Sequence, residues 1–305
     1  MENRRLGKSE LQVSEIGFGG HQKGGYGRKE QAGLAERVEA IQRALELGIT
    51  YFDTTEEHEA ESLGLVFREL GGRPEHVTVA AMYTSWQLHR TDYPGVAADM
   101  KRRVATEIDK HLVDFDPIDV FNLCGDGLPY SRERALGALE ALEEARSQGK
   151  VKHFGFSTHT MDYGLAMIDN HPEFCVIIIP YNLVLPRIAE ILFPVAARCD
   201  VAVVAMKAMA ARGLFNVGVD GAAYGPGVSV ARVALKWVLQ SPQVACTIPA
   251  MNSVAEVEEN ATASGEPLSE AEERMVADLR RAFEEKVQSD PAWYYHRDWT
   301  RRLYG

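Results

Sequence analysis

The sequence has few of the features that define several large protein classes. Its four cysteines are widely separated and form no Cys-x-x-Cys pair, so no zinc-ribbon or iron–sulfur motif is present. No apolar run approaches the roughly 18 residues of a membrane-spanning helix. Residues 1–11 are charged and contain no apolar core typical of a targeting segment. We therefore expect a cytoplasmic protein without a membrane partner.

Positive charge is also scarce. Lysine and arginine number 33 against 44 aspartates and glutamates, which gives a formal charge of −11. Binding to a phosphate backbone requires clustered positive charge, so we expect no nucleic-acid partner. The composition, 46% hydrophobic and 25% charged, is typical of a globular protein that buries a large core.

Short apolar runs alternate with longer amphipathic segments along the chain. Eight runs are typical of buried parallel strands, at 15–20, 50–54, 77–82, 118–124, 151–158, 175–182, 201–209 and 244–251. Helical spacing separates them, as in Val38, Ile41 and Leu45. The glycines at Gly17, Gly19 and Gly20 do not form the fingerprint of an open dinucleotide-binding sheet. The pattern predicts an α/β fold, a (β/α)₈ TIM barrel.

Two segments lie outside this repeat. Residues 1–14 predict an N-terminal β-hairpin, turning at Gly7 and Lys8, that closes the floor of a barrel spanning 15–264. In 265–305, Ser269 and Glu272 predict a capping box for a C-terminal helix over 270–286. An aromatic tail follows from Pro291, which either packs on the barrel or meets a partner. No linker divides the chain, so we expect one domain over 1–305.

Several segments together resemble the aldo-keto reductase superfamily, and in particular its bacterial branch related to the ferredoxin-tailed members. They run in the family's order over nearly the whole chain, and they include Gly48-Ile49 with Phe52-Asp53-Thr54, Gly149-Lys150-Val151 with Phe154-Gly155-Phe156-Ser157, Pro180-Tyr181-Asn182, Val204-Ala205-Met206-Lys207, and Ile248-Pro249 with Glu259-Asn260. The resemblance implies a barrel that binds NAD(P)(H) across the C-terminal ends of its strands and uses an Asp, Tyr, Lys, His tetrad there.

The tetrad positions carry an unusual set of side chains. The resemblance places them at Asp53, His58, Met82 and Cys124, so only the aspartate is retained. A thioether carries no charge, so Met82 cannot activate an acid as the family's lysine does. His58 occupies the acid's position, and an imidazole with a pKa of about 6.5 suits proton donation. The alternatives are a solvated histidine in an acidic run for His58, and a nucleophile or a small buried filler for Cys124.

The resemblance also implies a set of residues that bind the cofactor. These are Gly19, Ser157, Thr158, Ile178, Met206, Lys207, Arg212, Leu214, Asn252, Glu256, Glu259 and Asn260. Ile178 replaces the glutamine that contacts the carboxamide. Glu256 lies where other members hold a 2′-phosphate, which its carboxylate would repel. We therefore expect NAD(H) rather than NADP(H), with loss of cofactor binding as the alternative.

The expected pocket lies at the strand ends, where such barrels carry their active sites. Its candidate residues are His21, Tyr83, Trp86, Asp126 and His159. Tyr83 is a second candidate acid, although alternation along a continuing strand would turn it away from the site.

Three functions are compatible with these residues. The first is an aldo-keto-reductase-like oxidoreductase with a non-standard active site, which transfers hydride between NAD(P)H and a small carbonyl or imine. The second is a non-redox lyase, isomerase or cyclase that uses His58 and Asp53 for proton transfer. The third is a catalytically silent pseudo-reductase that binds or regulates. For the enzyme we expect a small-molecule substrate and a monomer or small homo-oligomer.

Overall fold

The fold is seen in a computed structural model that describes residues 1–19, 33–83, 97–125, 132–293, 296 and 301. An antiparallel hairpin, β1 (Asn3–Arg5) and β2 (Gln12–Ser14), precedes a seven-stranded parallel sheet. The strands of the sheet follow one another in chain order: β3 (Tyr51–Thr54), β4 (Thr78–Tyr83), β5 (Ile118–Cys124), β6 (Val151–Ser157), β7 (Phe174–Pro180), β8 (Ala202–Met206) and β9 (Val244–Thr247).

Residues 15–19 join the two edges of this sheet. On one side the Phe18 N–H donates to the Tyr51 carbonyl over 2.8 Å. On the other side the Gly17 N–H donates to the Thr247 carbonyl over 2.8 Å, and the Gly19 N–H donates to the Pro249 carbonyl over 2.9 Å. The segment therefore occupies the first-strand position of the predicted barrel, and the (β/α)₈ TIM barrel is confirmed.

Helices cover the outside of the barrel. They are α1 (Leu34–Glu46), α2 (Glu57–Glu69), α3 (Ala97–His111), α4 (Arg132–Ser147), α5 (Met161–Asn170), α6 (Ile188–Arg198), α7 (Val230–Leu239), α8 (Val254–Ala261) and α9 (Glu270–Ser289). The predicted capping box is present at α9, where Ser269 Oγ accepts from the Glu272 N–H and the Glu272 carboxylate accepts from the Ser269 N–H. Within the described chain, no helix is long and apolar enough to cross a membrane.

Side chains alternate along each strand between the barrel interior and a layer beneath the helices. On β3, Tyr51 belongs to the interior cluster and Phe52 to the outer one. On β4, Met82 packs inside and Tyr83 outside. By the same alternation Asp53, two residues after Tyr51, faces the interior. The core is thus divided into two layers, and the strand ends present their inner residues to the barrel mouth.

The hairpin closes the floor of the barrel. Leu6 and Val13 are fully buried and belong to the interior cluster. The turn between the strands is a 3-10 turn at Gly7–Ser9, and it contains Gly7 at a φ of 55°. A Cβ on Gly7 would lie 2.7 Å from the Ala202 nitrogen, so the turn can press against the bottom of the strands only with glycine there.

Candidate active site

Three of the four tetrad positions meet inside the barrel at the C-terminal ends of β3, β4 and β5. Asp53 pairs in register with Ala80, which places Met82 one inward-facing position further along the neighbouring strand. Met82 packs in the interior cluster, and Cys124, the last residue of β5, packs against that cluster and is partly exposed. Parallel strands of similar length bring these side chains to one end, as the sequence predicted.

Asp53 is a buried carboxyl group without a cationic partner among the described residues. Its Oδ2 lies 3.4 Å from Thr55 Oγ1, whereas its Oδ1 has no hydrogen-bond partner in the part of the chain that the structure describes. Burial, together with the negative charge of Glu59, raises the pKa of Asp53 to about 7, against a smaller lowering by the Thr55 hydroxyl. Near neutral pH this carboxyl group therefore exists in both protonation states and can accept or release a proton.

His58 lies in the first turn of α2, between two carboxylates. Its Nδ1 is 3.6 Å from Glu56 Oε2 and its Nε2 is 3.9 Å from Glu59 Oε1. Only 21% of the side chain is exposed, so the ring is enclosed rather than solvated. Both carboxylates attract the protonated ring, which suits a group that exchanges a proton.

Glu59 organises this corner of the site and was missed by the sequence analysis. It is fully buried, and its Oε2 accepts from the backbone N–H groups of Thr55 and Glu56 over 2.7 and 2.9 Å. Its charge acts on Arg37 of α1, a buried guanidinium whose Nε donates to Ser62 Oγ over 2.8 Å. The sequence signal was a capping box, because Glu59 lies three residues after the helix N-cap Glu56.

Two further polar side chains of the interior were also missed. Tyr51 Oη and Asn122 Oδ1 are buried and have no hydrogen-bond partner among the described residues. Asn122 Nδ2 donates to the Ala81 carbonyl over 3.3 Å, and a Cβ on Gly155 would lie 2.0 Å from Asn122 Oδ1. Their positions in the sequence could have indicated that they face the interior. Tyr51 lies two residues before Asp53, and Asn122 lies two residues before Cys124, so each pair shares one face of its strand.

Two predicted site residues point elsewhere. The Tyr83 side chain belongs to the outer cluster and hydrogen-bonds Arg103 of α3, so this residue does not line the barrel mouth. The Leu214 side chain is fully buried in a cluster with Leu279 and Phe283 of α9, so the expected cofactor contact cannot come from that side chain. Tyr83 faces outward because side chains alternate along β4, and Leu214 is buried because leucine is apolar.

The ends of β6 and β8 bring two basic side chains together. The Lys207 ammonium group hydrogen-bonds His159 Nε2, and it lies 3.8 Å from the Met206 sulfur. Ser157 and Thr158, which precede His159, are buried, and Ile178 on the neighbouring strand is buried in the interior cluster. The pair Lys207 and His159 thus supplies a cationic group at the mouth.

The loop after β8 has an unusual backbone. Ala210, Ala211 and Arg212 are consecutive residues with left-handed φ values of 49°, 50° and 69°, and Lys207 has a φ of 61°. Each left-handed residue other than glycine costs roughly 1–2 kcal/mol. Such conformations persist where surrounding structure holds them and cluster at ligand-binding sites. This loop is where the resemblance places the pyrophosphate.

Next to this loop, after the neighbouring strand β9, the N-terminus of α8 carries the predicted adenosine-binding residues. Glu256 Oε2 accepts from the Asn252 N–H over 2.6 Å, while Asn252 Oδ1 is buried without a hydrogen-bond partner among the described residues. Asn260 is buried and Glu259 exposed. A Cβ on Gly19 would lie 2.4 Å from the Ile248 carbonyl oxygen, so this glycine allows the first strand to approach β9 closely.

The remaining predicted pocket residues, His21, Trp86 and Asp126, lie outside the described residues. In the described part of the chain, no group of three or more histidine, cysteine, aspartate or glutamate side chains could hold a metal ion.

Comparison with known proteins agrees with this architecture. The sequence profile of the aldo/keto reductase family matches residues 15–225 and 222–281, and the chain belongs to that family. It is 24% identical over 266 residues to pyridoxine 4-dehydrogenase of Escherichia coli (strain K12), a match that covers 85% of this chain and 92% of the relative.

Solved structures share the fold at lower sequence identity. An aldo-keto reductase from Bacillus halodurans, in its holo form, superposes with a TM-score of 0.67 at 23% identity, covering 92% of this chain and 97% of the other. An aldo-keto reductase enzyme from a deep-sea metagenome library of the Medee basin superposes with a TM-score of 0.68 at 14% identity, covering 92% and 96%. Family and fold therefore support an oxidoreductase.

Proposed function

We propose that the protein transfers hydride between NAD(P)H and a small carbonyl or imine, at an active site in which three of the family's four catalytic side chains are replaced. The observation that carries the proposal is Asp53, an interior carboxyl group at the mouth of an aldo/keto reductase barrel, with a pKa of about 7 and one oxygen that has no partner among the residues described. The similarity to a pyridoxine dehydrogenase, a protein named for a redox reaction on a small molecule, supports the same reaction class.

The described residues fit a nicotinamide cofactor. Asn252 Oδ1, an orphaned buried acceptor at the α8 end of the mouth, is suited to a hydroxyl or amino donor of the adenosine. The Lys207 ammonium group and the left-handed loop over 210–212 are suited to the phosphates. When bound, such a cofactor supplies or accepts a hydride at its nicotinamide ring.

We infer a preference for NAD(H). The Glu256 carboxylate lies in the first turn of α8 and is held there by the Asn252 N–H. A negative charge at this position repels a 2′-phosphate, whereas a ribose hydroxyl can donate to it.

In this proposal, His58 exchanges a proton with the carbonyl oxygen. Asp53 is the buried group that shares the electrostatic environment of His58. The ring of His58 is flanked by the carboxylates of Glu56 and Glu59. Met82 contributes shape and an apolar wall only. Cys124, which packs against the interior cluster, completes the wall beside it.

Fluorescence titration with NADH and NADPH, followed by an assay of cofactor oxidation with a panel of small aldehydes, ketones and imines, tests the proposal. We expect binding of NADH at micromolar concentration and turnover of at least one compound. Cofactor binding without any redox turnover would favour the lyase, isomerase or cyclase alternative. Failure of both cofactors to bind, together with a stoichiometric protein partner, would favour the pseudo-reductase.

A further inference from the structure

Around Asp53, the part of the barrel interior that the structure describes presents hydrogen-bond acceptors and no positive charge. Two buried oxygen atoms have no hydrogen-bond partner among the described residues. Asp53 Oδ1 is an acceptor when the carboxyl group is ionised, and Asn122 Oδ1 is always an acceptor. Among the described residues, the groups that shift the pKa of Asp53 are a carboxylate, Glu59, and a hydroxyl, Thr55, and neither is a cation. Tyr51 Oη, also orphaned, can donate or accept.

A buried carboxylate requires a cationic partner or must become protonated. In the family resemblance the lysine at the position of Met82 supplies that partner. Here the thioether of Met82 packs into the interior cluster, and the Asp53 oxygen has no partner in the part of the chain that is described. A ligand that carries its own positive charge would restore the missing pair.

We propose that the substrate is a cationic nitrogen compound, an iminium ion, whose positively charged C=N group lies against the Asp53 carboxylate. This inference rests on the proposed redox function and specifies the substrate class of the same site. The substrate's charge takes the place of the absent lysine ammonium group.

The chemistry accounts for the loss of the catalytic acid. In reduction, a hydride leaves the cofactor's nicotinamide and forms a C–H bond at the iminium carbon, while the C=N π electrons become the lone pair of a neutral amine. The nicotinamide is oxidised, the iminium is reduced, and the positive charge passes from the substrate to the cofactor. No proton is transferred in this step, whereas reduction of a carbonyl develops an alkoxide that requires a donor. A site that lacks the family's tyrosine, lysine and histidine is therefore sufficient for the reduction of an iminium ion.

Calorimetry on the cofactor-free protein tests the binding step separately from catalysis. Matched pairs of small amines and alcohols serve as probes, such as pyrrolidine with cyclopentanol and benzylamine with benzyl alcohol, extended to rings and chains of about four to ten carbons. At pH 8 we expect the best amine of the panel to bind at least tenfold more tightly than its alcohol, as charge-assisted hydrogen bonds imply. If no amine binds more tightly than its neutral counterpart, the proposal is wrong.

Two substitutions locate the effect. Asp53→Asn removes the charge at constant size, and Met82→Lys places an ammonium group beside Asp53; each should abolish the amine preference. Glu61→Gln, which removes the same charge from an exposed position of α2, should leave the preference intact. Circular dichroism shows whether each variant folds. If Asp53→Asn does not fold, the loss of amine preference in Met82→Lys tests the proposal.

The assay of turnover then separates this proposal from the proposed function. We expect reduction of N-methylpyrrolinium with NADH and slower or no reduction of cyclopentanone. Turnover of carbonyls alone would overturn the cationic substrate and leave the redox function intact. An amine preference abolished by Asp53→Asn, without redox turnover of any compound, would retain the cationic ligand and overturn the hydride transfer.

Discussion

Thr55 Oγ1 lies 3.4 Å from Asp53 Oδ2 and is the one hydroxyl that stabilises this carboxylate among the described residues. The contact is long and cannot offset burial and the nearby Glu59 charge, so the pKa of Asp53 remains raised, at about 7. The other groups that interact electrostatically with Asp53 are Tyr51 and Cys246, which are both neutral near pH 7. The carboxyl group is therefore a source of pH dependence.

The raised pKa of Asp53 predicts that Asp53→Asn stabilises the cofactor-free protein at high pH. Between pH 4 and 7 the folded chain holds this proton and the unfolded chain has lost it, so the free energy of unfolding falls as pH rises through that window. The contribution reaches about 4 kcal/mol above pH 7 by the linkage relation for roughly three pKa units. Asparagine does not titrate and escapes this loss.

Urea denaturation of the two proteins at pH 5 and pH 8 measures the effect. The advantage of the variant should be small at pH 5 and large at pH 8. Glu61→Gln, on the exposed face of α2, should show no such difference. An equal gain at both pH values would mean that Asp53 titrates near its ordinary pKa.

His58→Gln should separate the two substrate classes. Without the imidazole, reduction of a carbonyl loses its proton donor, and we expect its kcat to fall by about 10²-fold or more. Reduction of N-methylpyrrolinium needs no donor, so its kcat should change less than threefold. Steady-state kinetics with both substrates, measured against pH, gives the comparison; equal losses for both would assign His58 to binding rather than to proton transfer.

Glu256→Gln should raise the affinity for NADPH. Glutamine can still accept from the Asn252 N–H through its carbonyl oxygen, which preserves the turn before α8, while the charge that opposes a 2′-phosphate is gone. We expect NADPH to bind about fivefold more tightly and NADH to change little, because one removed repulsion near the surface is worth about 1 kcal/mol. Glu258→Gln, on the same helix, is the control for net charge.

Gly155→Ala should disrupt the site through Asn122. A methyl group at Gly155 would lie 2.0 Å from Asn122 Oδ1 and 3.1 Å from the Val176 Cβ, so the amide must move. We expect a loss of about 1–3 kcal/mol in the free energy of unfolding. Adding Asn122→Ala to the variant should recover much of that loss, and a double-mutant cycle in urea quantifies the coupling. Strictly additive effects would place the strain elsewhere.

Trp293→Ala should weaken cofactor binding from a distance. Trp293 and His296 pack on Phe283 of α9 with ring centroids 5.3 and 5.1 Å away, and Phe283 fills the space beside Gly213, where a Cβ would lie 2.6 Å from its ring. The aromatic group thus supports the loop of left-handed residues. We expect a several-fold higher Kd for NADH and a loss of about 1 kcal/mol per aromatic pair in stability. Fluorescence titration compares it with Leu70→Ala, an exposed and remote control.

The barrel could be predicted because its pattern is repeated and local. Apolar runs separated by amphipathic helices define the strands, and the capping box of Ser269 and Glu272 defines the start of α9. The first strand was the least regular, since residues 15–19 join the sheet through isolated bridges rather than a continuous ladder. Its pairing depends on two partner strands that lie far away in sequence.

The site was predictable where a residue's role follows from its position on a strand. Alternation places Asp53 and Met82 inside and Tyr83 outside. The role of Glu59 could not be derived in this way, because its burial depends on how α2 docks and on Arg37 from another helix. The burial of the Leu214 side chain could not be derived either, since α9, which covers it, is distant in sequence.

The plugged floor has a kinetic consequence. Leu6 and Val13 fill the N-terminal end of the barrel, so ligands can pass only through the mouth at the strand ends. A cofactor that lies across that mouth would shield whatever is bound beneath it. Substrate and product exchange would then be coupled to the residence time of the cofactor, and the sequence in which ligands arrive and depart would follow from the closed end of the barrel.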